Sequence, residues 1–305
     1  MTSDKPLLGI FLMISFCAVI PFGDALIKLM SASVPIMMVL LFRFTAQSLL
    51  LLPYVLFKKG RAWLRYSRRI YFLLAIRTIT HAAGIVGMYF GLKYMPLADT
   101  VAIAFIFPLL MLLVSHFYLG EHVGPHRLIT SIIGFVGTLM VVQPNFVAVG
   151  LNALWPIFVA LTFVVFMMVT RKMTREIDPV SIQTLSGFMA VITLLFCMLV
   201  LDDRIWDGFA WVMPQGVQWV YLIGSGIIGT FAHLLFTVAL RYAPSATLAP
   251  MQYLEIPFAT FIGWIIFSDL PNFLATLGIA VTVGAGLYII YREQRAPGKE
   301  ASEAV

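Results

Sequence analysis

Long apolar runs dominate this chain, and short clusters of charge or turn residues separate them. Ten runs stand out, over residues 7–29, 35–57, 71–93, 97–118, 127–143, 151–170, 180–201, 215–240, 246–267 and 273–291. A helix needs about 20 apolar residues to cross the roughly 30 Å hydrocarbon core of a bilayer, and the runs meet that length. Backbone groups in lipid must be satisfied within the segment, so the runs predict helices. The expected fold class is therefore an all-α integral membrane protein with ten transmembrane helices. The first run is too long for a signal peptide, and no small-x-small cleavage pattern precedes Asp24, so it reads as a retained helix.

Composition supports lipid as the solvent. Of the 305 residues, 61% are hydrophobic and 11% charged, with a mean hydropathy of +0.97. Soluble chains run at about 45–50% apolar and about 25% charged. The net charge of +6 does not point to nucleic acid, because the charges are sorted by side. The connection Lys58–Arg69 holds six basic residues and no acid. With ten spans, Lys5, Arg127, Arg171, Lys172, Arg175, Arg241, Arg292, Arg295 and Lys299 share its side. Lys28, Lys93 and Arg204 fall on the other, beside Asp99, Asp202, Asp203 and Asp207. The split is fifteen to three, which by the positive-inside rule makes the basic side and both termini cytoplasmic. Trp63, Trp155, Trp206, Trp211 and Trp219 fall near predicted helix ends, as interface anchors do. Residues 293–305 read as a solvated tail. Cys17 and Cys197 lie in apolar runs and form no disulfide framework.

One phrase occurs twice. "LKYMPLADT" begins at Leu92 and "LRYAPSATL" at Leu240. Lys93 closes the third run and Arg241 the eighth, five spans later. Five is odd, so the matching segments cross in opposite directions. The chain therefore reads as two five-helix repeats of inverted topology, residues 1–145 and 146–292, followed by the tail. At the same offset Glu121 aligns with Asp269, and "TLMVV" at Thr138 with "GLYII" at Gly286. Pro108 and Pro257 are displaced by one position. Inverted halves that exchange conformations around a shared midplane site give alternating access, so transport is the expected activity.

At this point the residues resemble a known group. "LKYMPLADTVAIAFIFPLL", "LGEHVGPHR" and "GFVGTLMVVQP" are similar to the helix 3–5 pattern of EamA-type ten-helix carriers of the drug/metabolite transporter superfamily. "YLEIPFATFIGWIIFSDLPNFLATLGIAVTVGAGLYIIYRE" resembles the helix 9–10 pattern of one bacterial subgroup. "FSDLP" departs from the Gly-Glu that many members carry, with Ser268 and Asp269 in its place. The resemblance implies a multi-pass carrier of the bacterial inner membrane with a small-molecule substrate, working as a monomer or homodimer. Members that look like this import riboflavin, carry S-adenosylmethionine or export amino acids and metabolites. Riboflavin uptake is the leading expectation and metabolite export the second. Rings in the fourth and ninth segments, Phe105, Phe107 and Tyr253, would stack on a flat heteroaromatic substrate. Gln252 would hydrogen-bond its polar edge.

Charges inside a bilayer cost about 2.5–3.5 kcal/mol each on insertion scales and face a cavity or a partner. Glu255 lies roughly 13 Å into the ninth run at 1.5 Å per residue, near the midplane, and reads as a proton-carrying carboxyl or a structural one. Pro21 and Gly23 suggest a kinked or broken helix before Asp24. That carboxylate is either a pair for Lys28, one turn on, or an outer gate. Arg43 cannot practically lose its proton and needs an anion, a carbonyl or a water-filled cavity. Arg77 and His81 share one face of the third helix and read as a cavity lining. His233 could titrate near neutral pH or simply pack. Gly84, Gly87, Gly91, Gly134 and Gly137 recur at helix-packing spacing. His116, His122 and His126 fit no common metal spacing, and no cofactor is expected. No G-x-x-x-x-G-K-[ST] loop is present, so energy would come from protons or the substrate gradient. Neither G-x-S-x-G nor H-E-x-x-H occurs, and an enzyme is not expected.

Overall fold

The computed structural model describes residues 5–30, 33–94, 97–121, 123–143, 150–201, 206–268 and 271–295. His122, Asp202, Asp203, Arg204, Asp269, Lys299 and the tail beyond residue 295 lie outside the described residues. The elements are α1 (Pro6–Met30), α2 (Ile36–Lys59), α3 (Arg68–Tyr94), α4 (Leu97–Ala104), α5 (Phe107–Phe117), α6 (Pro125–Val142), α7 (Leu154–Thr174), α8 (Pro179–Val200), α9 (Gln218–Tyr242), α10 (Ser245–Leu248), α11 (Glu255–Phe267) and α12 (Phe273–Arg295). Among the described residues there is no strand. Among the described residues eight helices (α1, α2, α3, α6, α7, α8, α9 and α12) are long and apolar enough to cross a membrane. Two interrupted segments, α4–α5 and α10–α11, complete the ten.

The interruptions are a departure from the expected continuous runs 97–118 and 246–267. The first segment stops at Ala104 and restarts at Phe107. Pro108 explains the stop: it has no N–H for the carbonyl four residues back, which is Ala104, and its ring crowds that carbonyl. In the second segment, Ala249–Leu254 winds as a 3₁₀ helix before α11 begins at Glu255. Pro250 and Pro257 withhold two N–H donors there, and the tighter turn re-pairs the backbone. Proline alone does not decide, however. Pro21 lies within α1, which runs on without the break that was one of the two expectations there, and Pro53 lies within an unbroken α2.

The helices pair across the two halves. α1 packs on α9 and α3 on α7, while α2 packs on α8 and α6 on α12. Exchanging the halves maps α1–α9 onto α7–α3 and maps α2–α8 and α6–α12 onto themselves. Neither half therefore has a separate core, and the space between them is shared. Small residues allow the closest approach. A Cβ on Gly137 of α6 would lie 3.0 Å from the Gly278 carbonyl of α12, and one on Gly87 of α3 would lie 2.9 Å from the Phe158 ring of α7.

The end that carries the basic loops is tied by ion pairs. Lys59 pairs with Asp178, Arg69 with Glu176 at 3.2 Å, Arg127 with Glu293 at 2.8 Å and Arg171 with Glu121 at 3.4 Å. Asp178 also caps α8 by accepting from the Ser181 amide at 3.0 Å, with Pro179 at the first helical position. Burial alone would raise the Asp178 carboxyl, but hydrogen bonds from Lys59 and Ser181 outweigh it and hold it below its ordinary 3.8.

Candidate functional site

The two interruptions meet at the centre of the bundle. Phe105, in the turn between α4 and α5, lies 6.3 Å from the Tyr253 ring and 5.8 Å from Phe107, centroid to centroid. Phe107 in turn meets Phe163 of α7 edge-on at 4.7 Å. Tyr253 and Gln252 sit in the 3₁₀ stretch, each 1% exposed. Tyr253 is pressed against α6 at Gly134, where a Cβ would lie 2.5 Å from its ring. Its hydroxyl faces Ser131. The Gln252 amide nitrogen is 3.6 Å from the Met167 sulfur, a weak acceptor.

Beside the second interruption is a charged group. Glu255 opens α11 at a point where its charge acts on both Asp24 and Cys17 of α1. Asp24 in turn interacts with Arg43 of α2. The guanidinium packs on α9 at Gly229, where a Cβ would come within 2.8 Å of Nε and would displace it. Asp24 is exposed and Glu255 half-buried. Arg43, by contrast, is buried. Lys28, the other expected neighbour of Asp24, stands over the Phe267 ring at 4.0 Å.

One layer further toward the basic end, His81 of α3 and His233 of α9 face each other at 4.5 Å between ring centroids. Phe44 and Phe166 flank His81, and Phe16 flanks His233. The two rings come from corresponding helices of the two halves, so the pair sits where the halves meet. His233 Nδ1 is buried with no hydrogen-bond partner among the described residues.

Arg77 lies one turn below His81 and is 0% exposed. Its Nε donates to Thr170 of α7 at 3.0 Å and its Nη1 to Ser186 of α8 at 2.6 Å. Its Nη2 reaches Thr237 of α9 at 3.5 Å, and the guanidinium stands 4.7 Å from the Phe166 centroid. Each of these hydroxyls also donates to a carbonyl of its own helix. A buried cation is thus held by neutral oxygens and a ring face, with no carboxylate paired to it among the described residues. Gln183 of α8 extends the network by donating to the His233 carbonyl at 2.6 Å and to Thr237 at 2.9 Å, and its own Oε1 has no donor among the described residues.

The ten residues singled out from the sequence therefore fall into two neighbouring groups. Phe105, Phe107, Gln252 and Tyr253 gather at the interruptions. Asp24, Arg43, Glu255, His81, His233 and Arg77 form a polar column between the halves. Arg77 lies sealed within helices and lines no opening in this conformation. Thr170, Gln183, Ser186, Thr237 and Cys17 belong to the same constellation, and the sequence reading passed over them. The signal was present in "SIQTLS" from Ser181, a polar stretch opening an apolar helix. A groove of about 410 Å³ between α6 and α12, lined by His126, Thr130 and Tyr288 among others, lies apart from all of these.

A bundle of ten membrane segments, broken twice at corresponding depths around a buried polar column, has the architecture of a secondary carrier. The model of the EamA-like transporter family matches residues 7–143 and again residues 151–292, and the chain belongs to that family. An S-adenosylmethionine uptake transporter of Rickettsia felis is 24% identical over 278 residues, covering 91% of this chain and 90% of that protein. A riboflavin transporter of Brucella anthropi is 27% identical over 265 residues, covering 85% and 89%. A riboflavin transporter of Vibrio cholerae is 25% identical over 268 residues, covering 87% and 86%. One solved crystal structure superposes with a TM-score of 0.76 over 96% of this chain and 98% of that one, at 16% identity, and shares its fold. The protein is a multi-pass membrane transporter and not an enzyme.

Proposed function

We propose that this transporter takes up a small heteroaromatic metabolite across a bacterial inner membrane, with riboflavin as the leading substrate. The halves 1–145 and 146–292 would rock against each other around the central column, with both termini in the cytoplasm. The observation that carries this reading is the meeting of two interrupted segments, each bringing rings to the meeting point. Phe105 and Phe107 from one and Tyr253 from the other, packed together in this conformation, would offer faces to a flat ring system once the segments part. Gln252 and the Tyr253 hydroxyl supply polar contacts for its edge. Riboflavin transporters among the relatives support the same choice. Glu255 and the His81–His233 pair are the groups suited to carry a proton with the substrate.

One observation favours a second reading. Asp24 and Glu255 place two carboxylates near each other, neither fully buried, which suits a cationic substrate. S-adenosylmethionine carries a sulfonium and an ammonium together with a flat adenine, and it is what the Rickettsia felis relative takes up.

Purified protein in liposomes, given labelled riboflavin with and without an imposed proton gradient, tests the proposal against empty liposomes. Saturable entry that excess unlabelled riboflavin abolishes supports it. Entry of S-adenosylmethionine but not riboflavin replaces it with the second reading. Entry of neither, with outward movement of amino acids from loaded vesicles, would turn the assignment to export.

A further inference from the structure

Glu121 was not among the residues expected to act in transport, yet its position is informative. It follows α5, the basic-end half of the first interrupted segment. Its two carboxylate oxygens accept from the backbone amides of Ser245 and Ala246 at 3.2 and 3.0 Å. Those amides begin α10, the basic-end half of the second interrupted segment. One side chain therefore ties together the two pieces whose opposite ends form the ring cluster.

Arg171 at the end of α7 completes the tie. Its Nε stands 3.4 Å from Glu121 Oε1, and its Nη1 donates to the Leu240 carbonyl of α9 at 2.6 Å. Thr174 donates to the same carbonyl at 3.2 Å. The Arg171 and Glu121 side chains are 2% and 7% exposed. Ion pairs this buried differ from surface pairs, because removing one partner leaves the other charged and desolvated. The exposed Arg69–Glu176 pair at the same end, 59% and 39% exposed, is of the ordinary surface kind. Behind the tie, Ala246, Thr247 and Leu248 are fully buried.

We propose that Glu121 and Arg171 form the gate of the transport cycle at the basic end. The described conformation has this gate shut. A passage from the ring cluster to the basic end requires α5 and α10 to part. That movement withdraws Glu121 from the Ser245 and Ala246 amides. The carboxylate is the needed group, since it alone accepts from two amides and pairs with a guanidinium at once. The inference rests on the alternating-access reading but is independent of which substrate is moved.

Thiol accessibility tests it without any substrate. Cys17 and Cys197 are replaced by serine, and Leu248→Cys places a reporter directly behind the gate. A membrane-impermeant maleimide is applied to membrane vesicles from the face carrying the basic loops. With the gate intact the reporter should label slowly. Glu121→Gln should speed labelling on the order of tenfold by shifting the population toward the open gate. Arg69→Gln should leave the rate unchanged. A second reporter, Ile182→Cys, is buried at the same end but away from the gate and should stay protected in every variant. Unchanged Leu248→Cys labelling in Glu121→Gln overturns the proposal. So does an equal rise at Ile182→Cys, which would mean general loosening. If Glu121→Gln does not accumulate, Arg171→Gln is scored by the same two outcomes. Failure of riboflavin uptake would leave this result standing, because labelling reads the gate and not the cargo.

Discussion

The two interrupted segments occupy corresponding places in the two halves but differ in the length of the break and in the polarity of the side chains beside it. The first break is a two-residue turn, Phe105–Ile106, and the side chains beside it are rings. The second is six residues of 3₁₀ helix carrying Gln252 and Tyr253, with Glu255 at its exit. Proline sets both, through a missing N–H and a crowded carbonyl. The difference shows that two-state geometry asks for symmetry of the backbone and not of the side chains. Packing that maps onto itself when the halves exchange lets each half take the other's place. A small-molecule substrate has unlike ends, so its polar contacts can be concentrated on one side while the other contributes a flat apolar face.

If that division holds, the second break should be far more sensitive to chemical change than the first. Glu255→Gln keeps shape and removes charge. Transport should fall on the order of 100-fold, the scale of losing a positioned proton-transfer group, while the protein still accumulates and elutes as a single species. Loss of accumulation instead would assign Glu255 to the scaffold. Gly134→Ala attacks the support of the second break by driving a methyl into the Tyr253 ring. Overpacking of this kind costs about 1–3 kcal/mol, visible as a lower Tm in detergent together with a raised KM. Phe105→Ala probes the first break. One stacking partner is worth about 0.5–1.5 kcal/mol, so KM should rise severalfold with little change in maximal rate. A collapse of rate as large as that of Glu255→Gln would erase the proposed contrast.

The smallest effect is expected away from both breaks, at Asp178. Replacing this helix cap with Ala should cost about 1 kcal/mol of stability at neutral pH. Because its carboxyl is held below 3.8 in the fold, its contribution is complete above that pH and disappears as pH falls through the lower folded value. The wild-type and Asp178→Ala melting temperatures should therefore converge only in acid below about pH 4, and a gap that persists there would remove the linkage.

Much of this architecture could be read without coordinates. Lipid accepts only long apolar segments with internally paired backbones, so the ten runs declared themselves. The repeated phrase around Pro96 and Pro244 revealed the duplication, and the odd offset its inversion. The helix ends moved by only a few residues, as with α3, which begins at Arg68 where residue 71 was expected. The breaks were harder to foresee. Four prolines, Pro21, Pro53, Pro108 and Pro257, look alike in sequence, yet the first two sit in unbroken helices. Whether a missing hydrogen bond ends a helix depends on what else can satisfy or crowd the freed carbonyl, and neighbouring helices supply that.

The amino-acid sequence by itself determined the class, the number of spans and the pairing of the halves, because each follows from local hydrophobicity or from comparison of the chain with itself. Tertiary structure decided which polar residues meet. Arg77 finds Thr170, Ser186 and Thr237 at 93, 109 and 160 positions away, and Glu121 reaches the Ser245 amide 124 positions on. Those encounters depend on how each helix is rotated about its axis and which neighbour it faces. Hydrophobic runs that are apolar nearly all round leave that rotation unwritten, and only the packing of all ten segments together fixes it.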